Sequence, residues 1–245
     1  ERAEVYLSQV QAVDSLAALA PCDLVIEAVV EQLDVKRQLF AELERIVRPD
    51  TVLATNTSSL SVTAIAALLQ RPQQLAGYHF FNPVPLMRVV EVIAGLKTAA
   101  QVCAQLTAYA KQFGHTPVSA QDTPGFIVNH AGRGYGTEAL RLVGERVSDF
   151  ATTDRILKDQ MGFRLGPFEL MDLTALDVSH PVMESIYRQY FEEPRYRPSV
   201  LTPQPLAGCM LGQKVVSGSY VSEQAPLQLP TEPAVPHMPT LPPPW

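Results

Sequence analysis

The 245-residue sequence has little cysteine, no long apolar run and no concentration of basic residues. Its three cysteines, Cys22, Cys103 and Cys209, are far apart, which fits packed thiols better than a disulfide framework or a zinc site. No apolar stretch reaches the roughly 18 residues of a membrane span, and the first twenty residues lack a signal-peptide pattern. These absences predict a cytoplasmic protein with no metal and no membrane partner.

The charge balance excludes a further class of partner. There are 19 basic and 25 acidic side chains, for a formal net charge of −6. Nucleic acids and anionic membranes attract clustered lysine and arginine, so neither is an expected partner. The length is enough to bury a sizeable core in one large or two modest domains.

The first half alternates apolar runs of strand length with stretches of helical periodicity, which predicts a doubly wound α/β sheet. The run at 23–30 is nearly continuously apolar, as in a parallel strand that is covered on both faces. Asp14 is the expected N-cap of a short helix at 15–20, and Gly114 suits the C′ position of a later helix. We predict strands at 6–13, 23–30, 51–55 and 116–119, and helices at 35–47, 61–69 and 99–113.

The second half has helical periodicity throughout, with glycine and proline as punctuation. The final 24 residues contain eight prolines and few residues that could pack, so they predict a disordered tail. The expected domains are therefore an α/β domain at 1–120, an all-α domain at 121–221 and a tail at 222–245. The expected helices of the second domain are 127–143, 154–161, 167–173 and 181–191.

One stretch, at 75–93, places a histidine and a carboxylate on two short apolar runs. Pro83 and Pro85 cannot donate to a sheet ladder, so the chain should bend between the runs and bring Glu91 back towards His79. A glutamate that holds a histidine in one tautomer makes it a general base. The alternative is a histidine that only packs beside Phe80 and Phe81.

The same stretch resembles the 3-hydroxyacyl-CoA dehydrogenase family. The family pattern H-F-F-N-P-x-P-x-M-x-x-V-E-V-I stands from His79 to Ile93 with every fixed position filled. The resemblance extends from about Leu24 to Tyr220 and so covers both expected domains. It implies an NAD cofactor, an acyl-CoA substrate and a homodimer formed through the helical domain.

The resemblance also implies roles for individual residues. His79 would remove the hydroxyl proton of the substrate and Glu91 would orient the imidazole. Ser58 of the T-N-T-S-S motif and Asn129 of P-G-F-I-V-N would hold the substrate oxygen, with Asn82 as a further polar wall. From the residues alone, Ser58 and Asn56 could instead cap the helix that follows them.

For the cofactor, the resemblance implies contacts from the loop after the second expected strand, from the start of the next helix and from a late lysine. The matching residues are Ala28, Val30, Glu31, Lys36, Asn56, Ser58, Asn82 and Lys214. The segment around Lys214 departs from the family pattern, and Val216 stands where glycine is expected. His130 likewise stands where the family usually has arginine.

A dinucleotide-binding domain also needs a G-x-G-x-x-G turn between its first strand and first helix. No glycine precedes Asp23, so we expect the chain to be N-terminally truncated relative to the family, with its pyrophosphate loop upstream of Glu1. Residues 1–120 would then be the remainder of an NAD-binding Rossmann-like domain.

The expected function is NAD-dependent oxidation of a 3-hydroxyacyl-CoA to a 3-oxoacyl-CoA, in fatty-acid or aromatic-acid breakdown. The sequence leaves open whether the acyl group is 3-hydroxybutyryl or 3-hydroxyadipyl. The alternative is a non-catalytic acyl-CoA-binding or oligomerisation module that has lost its cofactor loop. Another β-hydroxyacid dehydrogenase is disfavoured because those enzymes commonly use a lysine base.

Overall fold

The computed structural model describes residues 8–215 and 217–219, which form two compact units. The first unit contains the described residues up to Gly132 together with Glu184–Tyr196. The second contains Arg133–Met183 and the described residues from Arg197 onward. The first unit holds the sheet and the second is built from helices, so the predicted α/β part followed by an all-α part is confirmed.

The sheet of the first unit has five strands in the order β1-β2-β3-β4-β5. The first three strands run parallel, β4 is antiparallel to β3, and β5 is parallel to β4. The reversal at β4 follows from the short turn after β3, which leaves no room for a crossover helix. The strands are β1 Leu24–Glu27, β2 Val52–Thr55, β3 Leu75–Phe80, β4 Val89–Ala94 and β5 Thr116–Gln121.

Both faces of this sheet are covered, because alternate residues of a strand point to opposite sides. In β2, Leu53 belongs to one apolar cluster, whereas Val52 and Ala54 belong to another. Helices α1 (Leu33–Ile46) and α2 (Val62–Ala66) supply the first cluster, and helix α3 (Ala100–Gln112) supplies the second. This two-sided packing buries all four residues of β2.

The turn between β3 and β4 brings the two strands back side by side. It contains a cis peptide bond at Asn82–Pro83, and the Pro83 carbonyl accepts the N–H groups of Leu86 and Met87 at 3.0 Å. The antiparallel register places His79 directly opposite Glu91. The bend predicted from the two prolines is present.

Helices α1 to α3 lie in the first unit, where helix α4 (Val128–Gly144) also begins and α7 (Leu176–Gln189) ends; the other α-helices lie in the second unit. A small core of Ala139, Leu140, Phe168 and Met183 packs the second unit together. The buried carboxylate of Asp154 accepts two backbone N–H groups at the start of α6. The remaining helices are α5 Phe150–Met161, α6 Pro167–Thr174 and α8 Pro203–Ala207, and 3₁₀ turns lie at Leu16–Leu19, Pro72–Gln74, Pro194–Tyr196 and Gln213–Val215.

Two strand predictions were wrong. The described part of the predicted strand at 6–13, from residue 8 onward, is a turn and irregular chain with Val10 and Val13 exposed, and it pairs with none of the five strands of the described sheet. The strand predicted at 23–30 ends at Glu27, whose carboxylate accepts the N–H of Val29 and turns the chain. Ile26 is 41% exposed, so β1, which lies at one edge of the described sheet, is not covered on both faces.

Three helix starts also differ from the prediction. Ser15, not Asp14, caps the first 3₁₀ turn with its hydroxyl. Helix α5 begins at Phe150 rather than 154, because Asp149 accepts the N–H of Thr152 at 2.7 Å as its N-cap. Helix α7 begins five residues before Pro181, so the proline lies inside the helix rather than at its start.

The cysteine prediction holds only in part. Cys22 and Cys103 pack beside the two clusters of the sheet, but Cys209 is exposed and is not a packing residue. Tyr6, Val216 and the predicted tail at 222–245 lie outside the described residues. Among the helices of 8–215 and 217–219, none has the length and apolar character to cross a bilayer.

Candidate active site

Several polar residues singled out by the sequence lie at or just beyond the carboxyl ends of β1, β2 and β3. Since these strands are parallel, the loops that follow them lie along one edge of the sheet. The loop after β1 carries Glu31, the loop after β2 carries Asn56 and Ser58, and His79 lies near the end of β3. Parallel pairing therefore brings these side chains to the same edge.

His79 and Glu91 form a buried pair at this edge. The His79 Nδ1 atom lies 2.6 Å from Glu91 Oε2, and the two residues are 5% and 0% exposed. The imidazole ring contacts Phe81 and Phe126, with ring centroids 4.5 and 5.8 Å away. A carboxylate can only accept, so Nδ1 carries the hydrogen and Nε2 is left as a proton acceptor. Nε2 has no hydrogen-bond partner among the described residues.

The second oxygen of Glu91 anchors the start of helix α4. Glu91 Oε1 accepts the N–H groups of Ile127 and Val128 at 2.9 and 3.0 Å. Burial alone would raise the pKa of Glu91, but the hydrogen bonds from His79, Val128 and Ile127 outweigh it and hold the pKa below its ordinary value. Glu91 therefore remains a carboxylate that fixes both the histidine and the helix.

The turn before α4 requires glycine at position 125. Gly125 has φ +79°, and a Cβ there would lie 2.8 Å from Ile186 Cδ1 and 2.9 Å from the backbone nitrogen of His130. The next residue, Phe126, also has a positive φ of 49° and places its ring against His79. This compact turn aims the N–H groups at the start of α4 towards Glu91.

Ser58 lies in a loop that is held by Glu31. Glu31 Oε1 accepts the Thr57 hydroxyl at 2.6 Å and the N–H groups of Ser58 and Ser59 at 2.8 and 2.9 Å. The Asn129 amide donates to the Ser58 carbonyl at 3.1 Å, so the two residues predicted to hold the substrate oxygen are joined. Burial would raise the pKa of Glu31, but these bonds and the Lys36 ammonium together lower it.

The Lys36 ammonium is paired with carboxylates of the protein itself. Its ammonium lies 2.6 Å from Glu27 Oε1, 3.2 Å from Glu31 Oε2 and 3.4 Å from the Val29 carbonyl, and the residue is 1% exposed. A lysine with these contacts shapes the loop after β1 rather than offering a free charge. The sequence analysis did not single out Glu27, the partner of Lys36. The signal that could have identified it is a carboxylate at the end of a strand that is otherwise apolar.

The other predicted cofactor residues fall into two groups. Ala28 and Val30 are exposed in the loop after β1, and Asn82 is exposed in the turn after β3. Asn56 instead uses its side-chain oxygen to accept the N–H of Phe80 at 2.8 Å, which ties the second loop to the end of β3. Lys214 belongs to a 3₁₀ turn of the second unit, and its side chain lies outside what the structure describes.

His130, which stands where the family usually has arginine, makes hydrogen bonds through both ring nitrogens. Its two ring nitrogens lie 2.9 Å from the Tyr190 hydroxyl and 3.4 Å from the Tyr196 hydroxyl. Both tyrosine rings pack on the imidazole, with centroids 5.4 Å away. At the end of α7, Gln189 donates to the Ser59 carbonyl at 2.8 Å, so this segment braces the Ser58 loop.

Comparison with known proteins decides the family. Residues 1–123 match the model of the 3-hydroxyacyl-CoA dehydrogenase NAD binding domain, and residues 125–222 match that of the C-terminal domain. The chain belongs to the 3-hydroxyacyl-CoA dehydrogenase family. The family predicted from the sequence and its NAD cofactor are thereby confirmed.

Individual relatives agree with this placement. The chain is 44% identical over 220 residues to a 3-hydroxyadipyl-CoA dehydrogenase of Escherichia coli, a match that covers 90% of this chain and 46% of the relative. It is 39% identical over 217 residues to a probable 3-hydroxybutyryl-CoA dehydrogenase of Deinococcus radiodurans, covering 89% of this chain and 78% of the relative. The chain thus spans less than half the length of the first and most of the second.

A solved structure gives the same result. The crystal structure of (S)-3-hydroxybutyryl-CoA dehydrogenase from Ralstonia eutropha superposes with a TM-score of 0.84 at 36% identity. The superposition covers 89% of this chain and 76% of that chain. The fold expected for the family is therefore the fold of this chain.

The described residues fit part of an NAD molecule. The exposed loop from Ala28 to Glu31 and the neighbouring Asn56 stand at the carboxyl edge of the sheet, where dinucleotides bind in this class of fold. They include no glycine-rich turn for a pyrophosphate, and Lys36 is already committed to two carboxylates. No group of three or more histidine, cysteine, aspartate or glutamate side chains in the described part of the chain could hold a metal.

Proposed function

We propose that the protein containing this chain oxidises the 3-hydroxyl group of a 3-hydroxyacyl-CoA to a ketone, with NAD as the hydride acceptor. The observation that carries the proposal is the buried His79–Glu91 pair, with a 2.6 Å contact at Nδ1 and an Nε2 that has no partner among the described residues. The pair lies near the carboxyl edge of the parallel strands, where dinucleotides bind in this class of fold. The names of the bacterial relatives support the substrate class.

In the proposed mechanism, His79 Nε2 takes the proton of the 3-hydroxyl group while the C3 hydride leaves. NAD⁺, when bound, would supply the hydride acceptor. Glu91 keeps the hydrogen on Nδ1 before the reaction and stabilises the imidazolium that forms. Positive charge that develops on the buried ring then lies 2.6 Å from a carboxylate, where the attraction is much stronger than in water.

Ser58 and Asn129 position the oxygen that loses its proton. Support comes from the bond between the Asn129 amide and the Ser58 carbonyl, which holds both residues in one local structure. Glu31 fixes the same loop through consecutive N–H groups at Ser58 and Ser59. Such positioning lowers the entropy cost of reaching the transition state.

The finer predictions remain part of the proposal. We propose residues 1–120 as the cofactor domain and 121–221 as the substrate and dimerisation domain, supported by family matches that divide at about the same place. A homodimer is supported by exposed apolar side chains on the helical unit. These include Ile156, Met161, Phe163 and Leu173. We also propose a cytoplasmic enzyme of fatty-acid or aromatic-acid breakdown.

The test is a kinetic assay of the intact protein with NAD and a panel of 3-hydroxyacyl-CoA substrates that includes 3-hydroxybutyryl-CoA and 3-hydroxyadipyl-CoA. We expect NADH formation with at least one of them, and the ratio of kcat/KM values identifies the acyl group. NADH binding by fluorescence without turnover of any substrate would contradict the proposal and favour a non-catalytic module.

A further inference from the structure

We infer that Glu27 is a positioning residue for the proposed reaction, and that it acts on Ser58 through Lys36 and Glu31. The inference rests on the proposed function for its kinetic consequence but not for its structural basis. Glu27 ends strand β1 and is 3% exposed. Its buried position excludes direct contact with a substrate, so any effect must pass through neighbouring groups.

The carboxylate of Glu27 is fully engaged. Its Oε1 atom accepts the Lys36 ammonium and the Val29 N–H, each at 2.6 Å, and its Oε2 atom accepts the Thr55 hydroxyl at 2.7 Å. Val29 lies in the loop after β1 and Thr55 ends β2. One buried side chain therefore ties together the ends of two strands that lead to the candidate site.

Lys36 carries this constraint outward. It is a buried cation between two carboxylates, 2.6 Å from Glu27 and 3.2 Å from Glu31 Oε2. A buried charge is tolerated only when it is paired, so Lys36 holds its position because Glu27 compensates it. In that position its ammonium holds one oxygen of Glu31.

Glu31 connects Lys36 to the loop that carries Ser58. With Oε2 held by Lys36, its Oε1 atom receives the Thr57 hydroxyl and the N–H groups of Ser58 and Ser59. The two oxygens of Glu31 thus join the ion pair to the loop that carries Ser58. Loss of the Glu27 charge should displace Lys36, free Glu31 and loosen this loop.

The first test is hydrogen exchange of the peptide covering residues 56–60 in the intact protein without ligands. We expect Glu27→Gln to accelerate exchange there at least about tenfold, because the N–H groups of Ser58 and Ser59 lose Glu31 as a fixed acceptor. The control is Glu44→Gln, another carboxylate with little exposure in this unit, which accepts the N–H groups of Gln70 and Arg71 instead. Equal exchange in the two variants would overturn the inference.

If Glu27→Gln does not fold, the double variant Glu27→Gln/Lys36→Met replaces it. This variant removes both members of the pair, a change that often leaves stability intact. Glu31 still loses its cation, so exchange over residues 56–60 should still rise. Unchanged exchange in the folded double variant would also overturn the inference.

A kinetic cycle separates positioning from a purely structural role. Residues that act as one unit have non-additive effects, whereas independent residues have additive ones. We expect Glu27→Gln and Ser58→Ala each to lower kcat, and the double variant to be no more than about threefold slower than the slower single variant. Fully additive losses would overturn the inference while leaving the proposed function intact. A wild-type protein without dehydrogenase activity would instead refute the proposed function, and the exchange test would still decide the role of Glu27.

Discussion

Replacing Glu91 with glutamine removes the charge of the buried pair and nearly keeps the size of the side chain. The carboxylate has 0% exposure and three bonds, one to His79 Nδ1 and two to the N–H groups of Ile127 and Val128. The glutamine oxygen can keep the two backbone bonds. Its NH₂ group then faces Nδ1, which must become an acceptor and shift the ring hydrogen to Nε2.

The variant should therefore hold the histidine in the wrong tautomer. General-base catalysis contributes roughly 10²- to 10⁴-fold in rate, so we expect kcat to fall by about that factor. This loss corresponds to about 3–5 kcal/mol of transition-state stabilisation. The free energy of unfolding should fall less, by about 1–2 kcal/mol, because a charge-assisted hydrogen bond becomes a neutral one.

The assay is NADH-dependent reduction of acetoacetyl-CoA by the intact protein, followed by absorbance, with urea unfolding in parallel. Glu44→Gln serves as the control, because it makes the same chemical change at a carboxylate that bonds only Gln70 and Arg71 among the described residues. If Glu91→Gln kept kcat within threefold of wild type, the assignment of Glu91 as the residue that orients His79 would be refuted.

Three further predictions concern stability. The folded protein lowers the pKa values of Glu91 and Glu31 below 4.5, so both carboxylates contribute to the free energy of unfolding above that pH and this contribution is lost as the pH falls through the lowered values. The urea midpoint should therefore drop on acidification below about pH 4.5. The drop should be less steep in Glu91→Gln, which has one titrating carboxylate fewer. Gly125→Ala should destabilise the protein by about 2–4 kcal/mol, because alanine would have to adopt a φ of +79° and its Cβ would lie 2.8 Å from Ile186 Cδ1. Gly132→Ala should not destabilise it, because a Cβ at this position in helix α4 meets no atom within 4 Å. Thermal unfolding of both variants tests this difference. Ala175→Gly should raise the free energy of unfolding by about 1 kcal/mol, because Ala175 has φ 68° and ψ 141°, a region that favours glycine; a lowered denaturant midpoint would contradict this.

Much of the site was predictable because its signals are local. The two prolines after Asn82 predict the reversal that sets His79 opposite Glu91, and the register confirms that contact. The run at 51–55 likewise predicts a strand, and β2 is observed at Val52–Thr55. Each prediction depends on a few neighbouring residues whose conformational preferences agree.

The remainder depends on partners that are distant in sequence. A strand at 23–30 has good local propensity, but the bond from the Val29 N–H to Glu27 turns the chain four residues after the strand begins. The family resemblance likewise implies Lys36 as a cofactor contact, and the structure adds that its ammonium lies between two carboxylates. Neither outcome can be read from periodicity, since both arise from side chains that meet only in the folded protein.

The measurement that tests the central claim most directly is acetoacetyl-CoA reduction by the His79→Gln variant of the intact protein. The claim predicts that kcat falls at least 100-fold, within the range of about 10²–10⁴ for a general base, while NADH still binds. The matched variant His115→Gln, at a histidine that packs on Phe80 outside the pair, should keep its rate. A loss of less than about tenfold in folded His79→Gln would contradict the assignment of His79 as the base.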